Sequence, residues 1–260
     1  MLPDPAYVIS DLHLGAAAPD VERRLLDFLH GLRGRAGSLV VNGDLFDFWF
    51  EWRSVIPRVG FRTLAALAAL RDAGTPVLWT AGNHDCWGGE VLRDEVGADY
   101  QLEWTGELAG WPVWVHHGDG LREVEDRKYR RLRRVLRHPL AIRSFRWLHP
   151  DVASRVAMGS SAASRDHTDH DEGAGLQAVA FERLRVEPRL RLVIFGHSHV
   201  PALLRAPGGG VYANAGSWLE SPTFLRITPE RVELRRFDGS ADGERLDALD
   251  RVTEESPAQP

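Results

Sequence analysis

The chain has 260 residues, 43% hydrophobic and 27% charged, enough to bury a real core and too apolar for global disorder. A formal net charge of −5 gives no basic signature for duplex DNA, so no nucleic-acid partner is expected. Cys86 is the single cysteine, which excludes an internal disulfide and fits a reducing compartment. The opening "MLPDPAYVISD" lacks the basic and apolar regions of a secretory leader, and no run approaches the roughly twenty apolar residues of a spanning helix. The expected location is the cytoplasm, with any membrane contact peripheral on the inner face. All but one of the 32 basic residues are arginine, Lys128 being the exception, and genome base composition explains this more simply than phosphate binding.

In chain order, "AYVISD" reads as a first buried strand. Val21, Leu25, Phe28, Leu29 and Leu32 then recur at helical spacing, with Asp20 expected as the N-cap. "SLVVNGD" is a second strand. Phe61, Leu64, Leu67, Ala68 and Leu70 form a second helical pattern, stopped by Gly74 and Pro76. "PVLWTAGNHD" and "PVWVHHGD" are two further strands. Residues 121 to about 172 then break the rhythm as a helical insertion. In "LREVEDRKYRRLRRVLRHP", Leu121, Val124, Leu132, Val135 and Leu136 share one side, arginines crowd the rest, and Pro139 ends the helix. A second piece carries Ile142, Phe145 and Leu148, and a third opens at Asp151. "LRLVIFGHSH" resumes the sheet, followed by "VYANAGSW", "TFLRIT" and "RVELRRF", with a turn at Thr228-Pro229-Glu230. Alternating strands and helices predict a layered α/β fold. The expected organisation is one domain over 1–239 containing the 121–172 insertion, then a mobile tail over 240–260.

The strand tips carry the chemistry. "DLH" offers Asp11 and His13, "NGD" Asp44, "GNHD" Asn83 and His84, "HHGD" His117, and "GHSH" His197 and His199. Alternate residues of an extended chain point the same way, so each of the two x-spaced pairs is expected to aim at one place. Carboxylate and imidazole suit divalent transition metals such as Mn, Fe and Zn. Sheet ligands gather outside the carboxyl ends of strands, where all five clusters fall. Any one cluster alone is a turn more often than a site; five together point to metal. His116 is expected to face the opposite way from His117, Asp85 and Asp119 to orient loops or ligands, and Cys86 to be inert. His167 and His170 read as part of a polar connecting loop rather than a further metal patch.

These five blocks resemble the calcineurin-like metallophosphoesterase superfamily, with its pattern D-x-H, G-D, G-N-H-[DE], H, G-H-x-H, over Asp11 to His199. The resemblance implies a layered metallophosphoesterase fold with two metal ions. Asp11, His13 and His199 would hold one, Asn83, His117 and His197 the other, and Asp44 would bridge them. Mn²⁺ is the expected cation. His84 is the block histidine outside the ligand set and would act on the leaving group or a phosphoryl oxygen.

Within that superfamily the chain resembles the UDP-2,3-diacylglucosamine hydrolase branch, in "SDLHLG", in "GDLFDFW" and in a helical insertion directly after "HGD". That resemblance implies hydrolysis of the pyrophosphate of UDP-diacylglucosamine, in lipid A synthesis, to UMP and the acylated sugar 1-phosphate. The insertion would be a lid over acyl chains and a point of membrane-surface contact. Tyr129, Ser160, Ser164 and Arg165 lie near positions that hold the sugar phosphate, with lid packing and helix capping as their alternative roles. One position departs: the best-known members carry Arg where this chain has His84. The alternatives are a broad nucleotide or cyclic-nucleotide phosphodiesterase or phosphatase, which would not need an apolar lid, and a non-catalytic metal-binding scaffold, which should have lost ligands.

Overall fold

The computed structural model describes residues 1–165 and 173–252, with the side chains of 158–165 outside that description. Two sheets stack face to face. The larger has the order β12 (Glu244–Asp250)-β11 (Arg231–Arg236)-β10 (Thr223–Ile227)-β1 (Ala6–Ile9)-β2 (Ser38–Asn42)-β3 (Val77–Thr80)-β4 (Asp99–Gln101), and the smaller β5 (Glu103–Leu108)-β6 (Trp111–His116)-β7 (Leu192–Phe195)-β9 (Val211–Asn214)-β8 (Ala202–Arg205). In the first, β1 (Ala6–Ile9), β2 (Ser38–Asn42), β3 (Val77–Thr80) and β4 (Asp99–Gln101) run parallel. In the second, β6 (Trp111–His116), β7 (Leu192–Phe195) and β9 (Val211–Asn214) do the same, flanked by antiparallel β5 (Glu103–Leu108) and β8 (Ala202–Arg205).

Strand alternation explains the layers. Ala6, Val8, Val40 and Leu78 face inward against Val113, Val115, Leu192 and Ile194 of the other sheet. Tyr7, Ile9, Val41 and Trp79 face outward and are covered by Leu25, Phe28, Leu64 and Leu67 of α1 (Pro19–Leu32) and α2 (Phe61–Asp72). The smaller sheet turns Trp114, Val193 and Phe195 toward Leu176 and Ala180 of α6 (Ala174–Val186). The strands are apolar on both faces because both faces are covered.

The insertion supplies α3 (Arg127–Leu136), α4 (Pro139–Phe145) and α5 (Pro150–Arg165). Ile142, Phe145, Ala153 and Ala157 pack on an aromatic shelf of Phe48, Phe50 and Trp52, with Trp87 beside it. Two indole N–H groups hook the insertion's backbone: Trp52 Nε1 donates to Leu148 O at 3.3 Å and Trp87 Nε1 to Leu136 O at 3.1 Å. Among the described residues no helix is long and apolar enough to cross a membrane.

Two expectations need correction. Ala18, not Asp20, is the N-cap of α1: Pro19 takes the first helical position, where its missing N–H is harmless, and Asp20 falls in the first turn. The tail from residue 240 is not structureless over its described part. After β10 (Thr223–Ile227) and β11 (Arg231–Arg236), β12 (Glu244–Asp250) pairs antiparallel with β11 at the sheet edge. "ERLDALD" hides this strand because backbone pairing holds it while most of its side chains stay in solvent, and charges suit an exposed edge. Residues 253–260 lie outside the described residues. In α3 the apolar residues face outward, with Leu132 53% and Val135 61% exposed.

Candidate metal centre

The carboxyl ends of β1, β2, β3, β6 and β7 open toward one end of the sandwich and deliver the five sequence blocks together. Three groups of donor atoms lie close enough to share an ion: Asp11, His13 and His199; Asp44, His117 and His197; and His13, Asp44 and His84. Asp11, His13, Asp44, His84 and His117 are buried, while His197 and His199 are partly open. Asn83 follows β3, and its side-chain oxygen is buried without a hydrogen-bond partner.

The convergence does not come from extended alternation. Asp11, His13, Asp44, His197 and His199 all adopt left-handed backbone, with φ of 55°, 46°, 51°, 65° and 61°. Residues other than glycine avoid this region, and each such residue costs on the order of 1–3 kcal/mol unless its surroundings fix it. Here they do. Leu12 and His13 N–H groups both donate to Asp44 O, the Asp11 N–H donates to Gly43 O, and the Ser217 hydroxyl donates to Asp11 O at 2.8 Å. The His197 N–H donates to both Asp11 carboxylate oxygens, at 3.2 and 3.0 Å. Glycines admit the close approach: a Cβ on Gly82 would lie 2.1 Å from Asp44 Oδ1.

Proton arithmetic shows what the cluster lacks. His117 Nδ1 lies 2.9 Å from Asn42 O. A carbonyl only accepts, so Nδ1 carries the proton. Nε2 then points its lone pair at Asp44 Oδ2, 3.1 Å away. Lone pair against carboxylate is repulsive unless a positive charge lies between them. Burial opposes a charged His117, but Asp44 and Asp11 outweigh it and lift its pKa well above the usual value. His13 Nε2 and His199 Nε2 face each other at 3.1 Å, with Asp11 Oδ1 3.3 Å from the latter. Burial raises Asp44 and Asp11, yet nearby histidines (His117 foremost for both) carry them below the ordinary carboxylate range. Nitrogen and oxygen lone pairs converging on shared points, together with the unpartnered Asn83 oxygen, fit divalent cations.

His84 is held differently. Its Nδ1 lies 2.9 Å from Asp47 O, so that nitrogen carries the proton and Nε2 is the free end. Its backbone N–H donates to Asp44 Oδ1 at 2.9 Å. Asp47 was not among the sequence candidates. Its carboxylate also lies 3.4 Å from His13 Nδ1, so one residue faces two histidines of the cluster. The signal was the second aspartate of "GDLFD", three residues past Asp44. Asn214 was also missed; its side chain donates to Gly196 O at 2.9 Å and accepts from Gly216 N at 2.9 Å, bracing the "GHSH" loop.

The neighbouring residues keep to structural tasks. His116 turns away toward Trp114 and Phe195, and burial lowers its pKa to about 4. Asp85 accepts from the Gly82 and Leu45 N–H groups at 2.7 and 3.0 Å, and burial with Asp44 beside it raises its pKa to about 6. Burial pushes the Cys86 thiol up to about 12, which removes any thiolate nucleophile. Tyr129 donates its hydroxyl to Asp119 Oδ2 at 2.7 Å. The side chains of Ser160, Ser164 and Arg165 lie outside the described residues, as do His167 and His170.

A two-sheet α/β sandwich with these donors at its strand ends defines a metal-dependent phosphoester hydrolase. The chain belongs to the calcineurin-like phosphoesterase family, whose model matches residues 5–201. It is similar to a UDP-2,3-diacylglucosamine hydrolase from Porphyromonas gingivalis, 34% identical over 75% of this chain and 82% of that protein. It is also similar to proteins of that name from Pseudomonas fluorescens, 31% identical over 89% of this chain and 94% of the relative, and from Xanthomonas oryzae, 31% identical over 88% and 97%.

Proposed function

We propose that this chain hydrolyses the pyrophosphate of UDP-2,3-diacylglucosamine, or a close relative, to UMP and an acylated sugar 1-phosphate. The observation that carries the reading is the join between the donor cluster and the insertion. Asp119, two residues past His117, accepts from Tyr129 of α3, so an arginine-rich helix with an outward apolar stripe adjoins the metal-binding loops. A substrate with an anionic diphosphate and long acyl chains matches both features. The printed names of the relatives agree with it.

In this reading Asp11, His13 and His199 hold one cation, Asn83, His117 and His197 a second, and Asp44 lies between them. Mn²⁺ is the cation proposed. Bound divalent cations would supply Lewis acidity, polarising phosphoryl oxygens and easing deprotonation of the attacking water. With a second ring proton on Nε2, His84 would donate it to the leaving oxygen, its direction fixed by Nδ1 on Asp47 O. Ser160, Ser164 and Arg165 meet the sugar phosphate, with Tyr129 at the edge of that subsite. Leu132, Val135 and Leu136, with Arg130, Arg131 and Arg134 around them, face the acyl chains or the anionic membrane surface that presents them. The protein then works from the cytoplasm, peripherally on the inner membrane.

A broad phosphodiesterase is the second reading, favoured by one observation: His84 stands where the best-known lipid hydrolases carry Arg. The test compares kcat/KM for UDP-diacylglucosamine and for bis(p-nitrophenyl) phosphate, in wild type and in a Leu132→Ser/Leu136→Ser variant. The lipid reading expects wild type to prefer the acylated substrate and the variant to lose that preference while cleaving the small diester as before. Equal losses on both substrates, or no preference in wild type, would leave the broad phosphodiesterase.

A further inference from the structure

Helix α3 is built inside out. None of its residues is fully buried, and its apolar side chains face solvent. The residues it turns toward the body are Tyr129, Arg133 and Arg137, spaced i, i+4, i+8 along one face. All three meet Asp119. Its Oδ2 accepts from Tyr129 Oη at 2.7 Å, Arg133 Nη1 at 3.2 Å and Arg137 Nη2 at 3.5 Å, and its backbone oxygen accepts from Arg133 Nη1 at 3.0 Å. Asp119 itself is 1% exposed.

A helix that buries no apolar face lacks the usual adhesive for docking. Hydrogen bonds to a buried carboxylate are among the stronger polar contacts a protein makes. The rest of the insertion is held otherwise, with α4 and α5 on the aromatic shelf. We infer that Asp119 is a positioning residue, whose carboxylate clamps α3 through Tyr129, Arg133 and Arg137 and thereby sets the insertion's place over the metal-binding loops. The clamp is attached to the His117-Gly118-Asp119 turn, so a shift of α3 pulls on the segment that carries His117. With Tyr129, Arg133 and Arg137 turned to the carboxylate, Val135 lies opposite them and Leu132 to one side, and both stay exposed.

Two variants test the clamp from its two sides. Asp119→Asn keeps the shape but removes the charge and turns an amide N–H toward the arginines. Arg133→Gln/Arg137→Gln removes the partners without replacing a residue of the metal-binding loops, and only Arg137 has a further contact there, with Cys86. Hydrogen exchange is followed in the Mn²⁺-loaded protein, with metal content measured alongside. Exchange across residues 127–136 should rise about tenfold in either variant, and the combined triple variant should be no faster than either. Metal content and exchange in β1 and β2 should match wild type. For the arginine variant, KM for UDP-diacylglucosamine should rise about fivefold or more while kcat on bis(p-nitrophenyl) phosphate stays within about twofold.

Unchanged exchange over 127–136 in the arginine variant overturns the clamp, even if Asp119→Asn fails to fold. Metal loss in Asp119→Asn with a wild-type arginine variant would assign Asp119 to the His117 loop alone. The kinetic arm rests on the acylated-substrate reading and the exchange arm does not. A wild type without preference for the lipid therefore sinks that reading and leaves the clamp to be judged on exchange.

Discussion

Gly82→Ala should disrupt the metal site without replacing any of its proposed ligands. The added Cβ would sit 2.1 Å from Asp44 Oδ1 and 2.5 Å from Asp44 N, where ordinary contact begins at 3.4 Å. Relief therefore requires a shift of more than 1 Å, and the atoms met include backbone as well as side chain. Asp44 cannot give way freely: Oδ1 accepts the His84 N–H at 2.9 Å, Oδ2 faces His117 Nε2 at 3.1 Å, and its carbonyl accepts from Leu12 and His13. Overpacking of this kind costs about 1–3 kcal/mol of stability. A misplacement of about 1 Å in a positioned group costs roughly a hundredfold in rate. Elemental analysis of the Mn²⁺-equilibrated variant, with kcat on bis(p-nitrophenyl) phosphate, reads both effects. Gly208→Ala is the control, since nothing lies within 4 Å of its Cβ. Wild-type metal content and turnover in Gly82→Ala would refute the placement of Asp44 at the centre of the site.

Asp44→Ala removes the carboxylate that faces His117 and steadies the His84 backbone; metal analysis should show loss of the paired site, and two cations retained at saturation would contradict it. His84→Ala should lower kcat by about two to four orders of magnitude with metal content near wild type; metal lost in parallel with activity would make His84 structural. Asp85→Asn places an amide donor against one of two buried N–H groups, from Gly82 and Leu45, so denaturant unfolding of the metal-free protein should show about 1–3 kcal/mol lost.

The cluster at the strand ends was legible because its aspartates and histidines each close an apolar run. The layered α/β fold was legible because strands covered on both faces show continuous hydrophobicity, while their division into two sheets was not. What escaped notice has no such imprint. β12 is specified by backbone pairing along an exposed edge, so its side chains carry no period. Asp47 works through its backbone oxygen on His84 as well as its carboxylate, and a carbonyl is invisible in sequence. The orientation of α3 leaves no imprint either, since an amphipathic pattern shows that two faces differ and not which of them meets the body. Tyr129, Arg133 and Arg137 were visible at helical spacing, but nothing in the string placed a buried Asp119 beneath them.

The alternation argument for the D-x-H and G-H-x-H pairs expected their side chains to converge from extended strands, whereas the backbone gathers them in another way, and the difference bears on how the site is built. In an extended strand both side chains would project from one pleated face, and binding would need no special backbone. Instead five of the expected ligands occupy left-handed backbone, a conformation their side chains resist. Such residues stay in place only if the surroundings over-determine them. The Asp11 backbone and carboxylate bond to Gly43, Ser217, Trp218 and His197, which come from three separate blocks of the chain. The sheet therefore does not hold the donors one strand at a time. It brings strand ends together, and the loops then lock one another across strands, each fixing the strained turn of the next. A metal ion entering this cage would meet nitrogen and oxygen donors already brought together, and at His117 it would take the place of the proton that relieves the ring against Asp44.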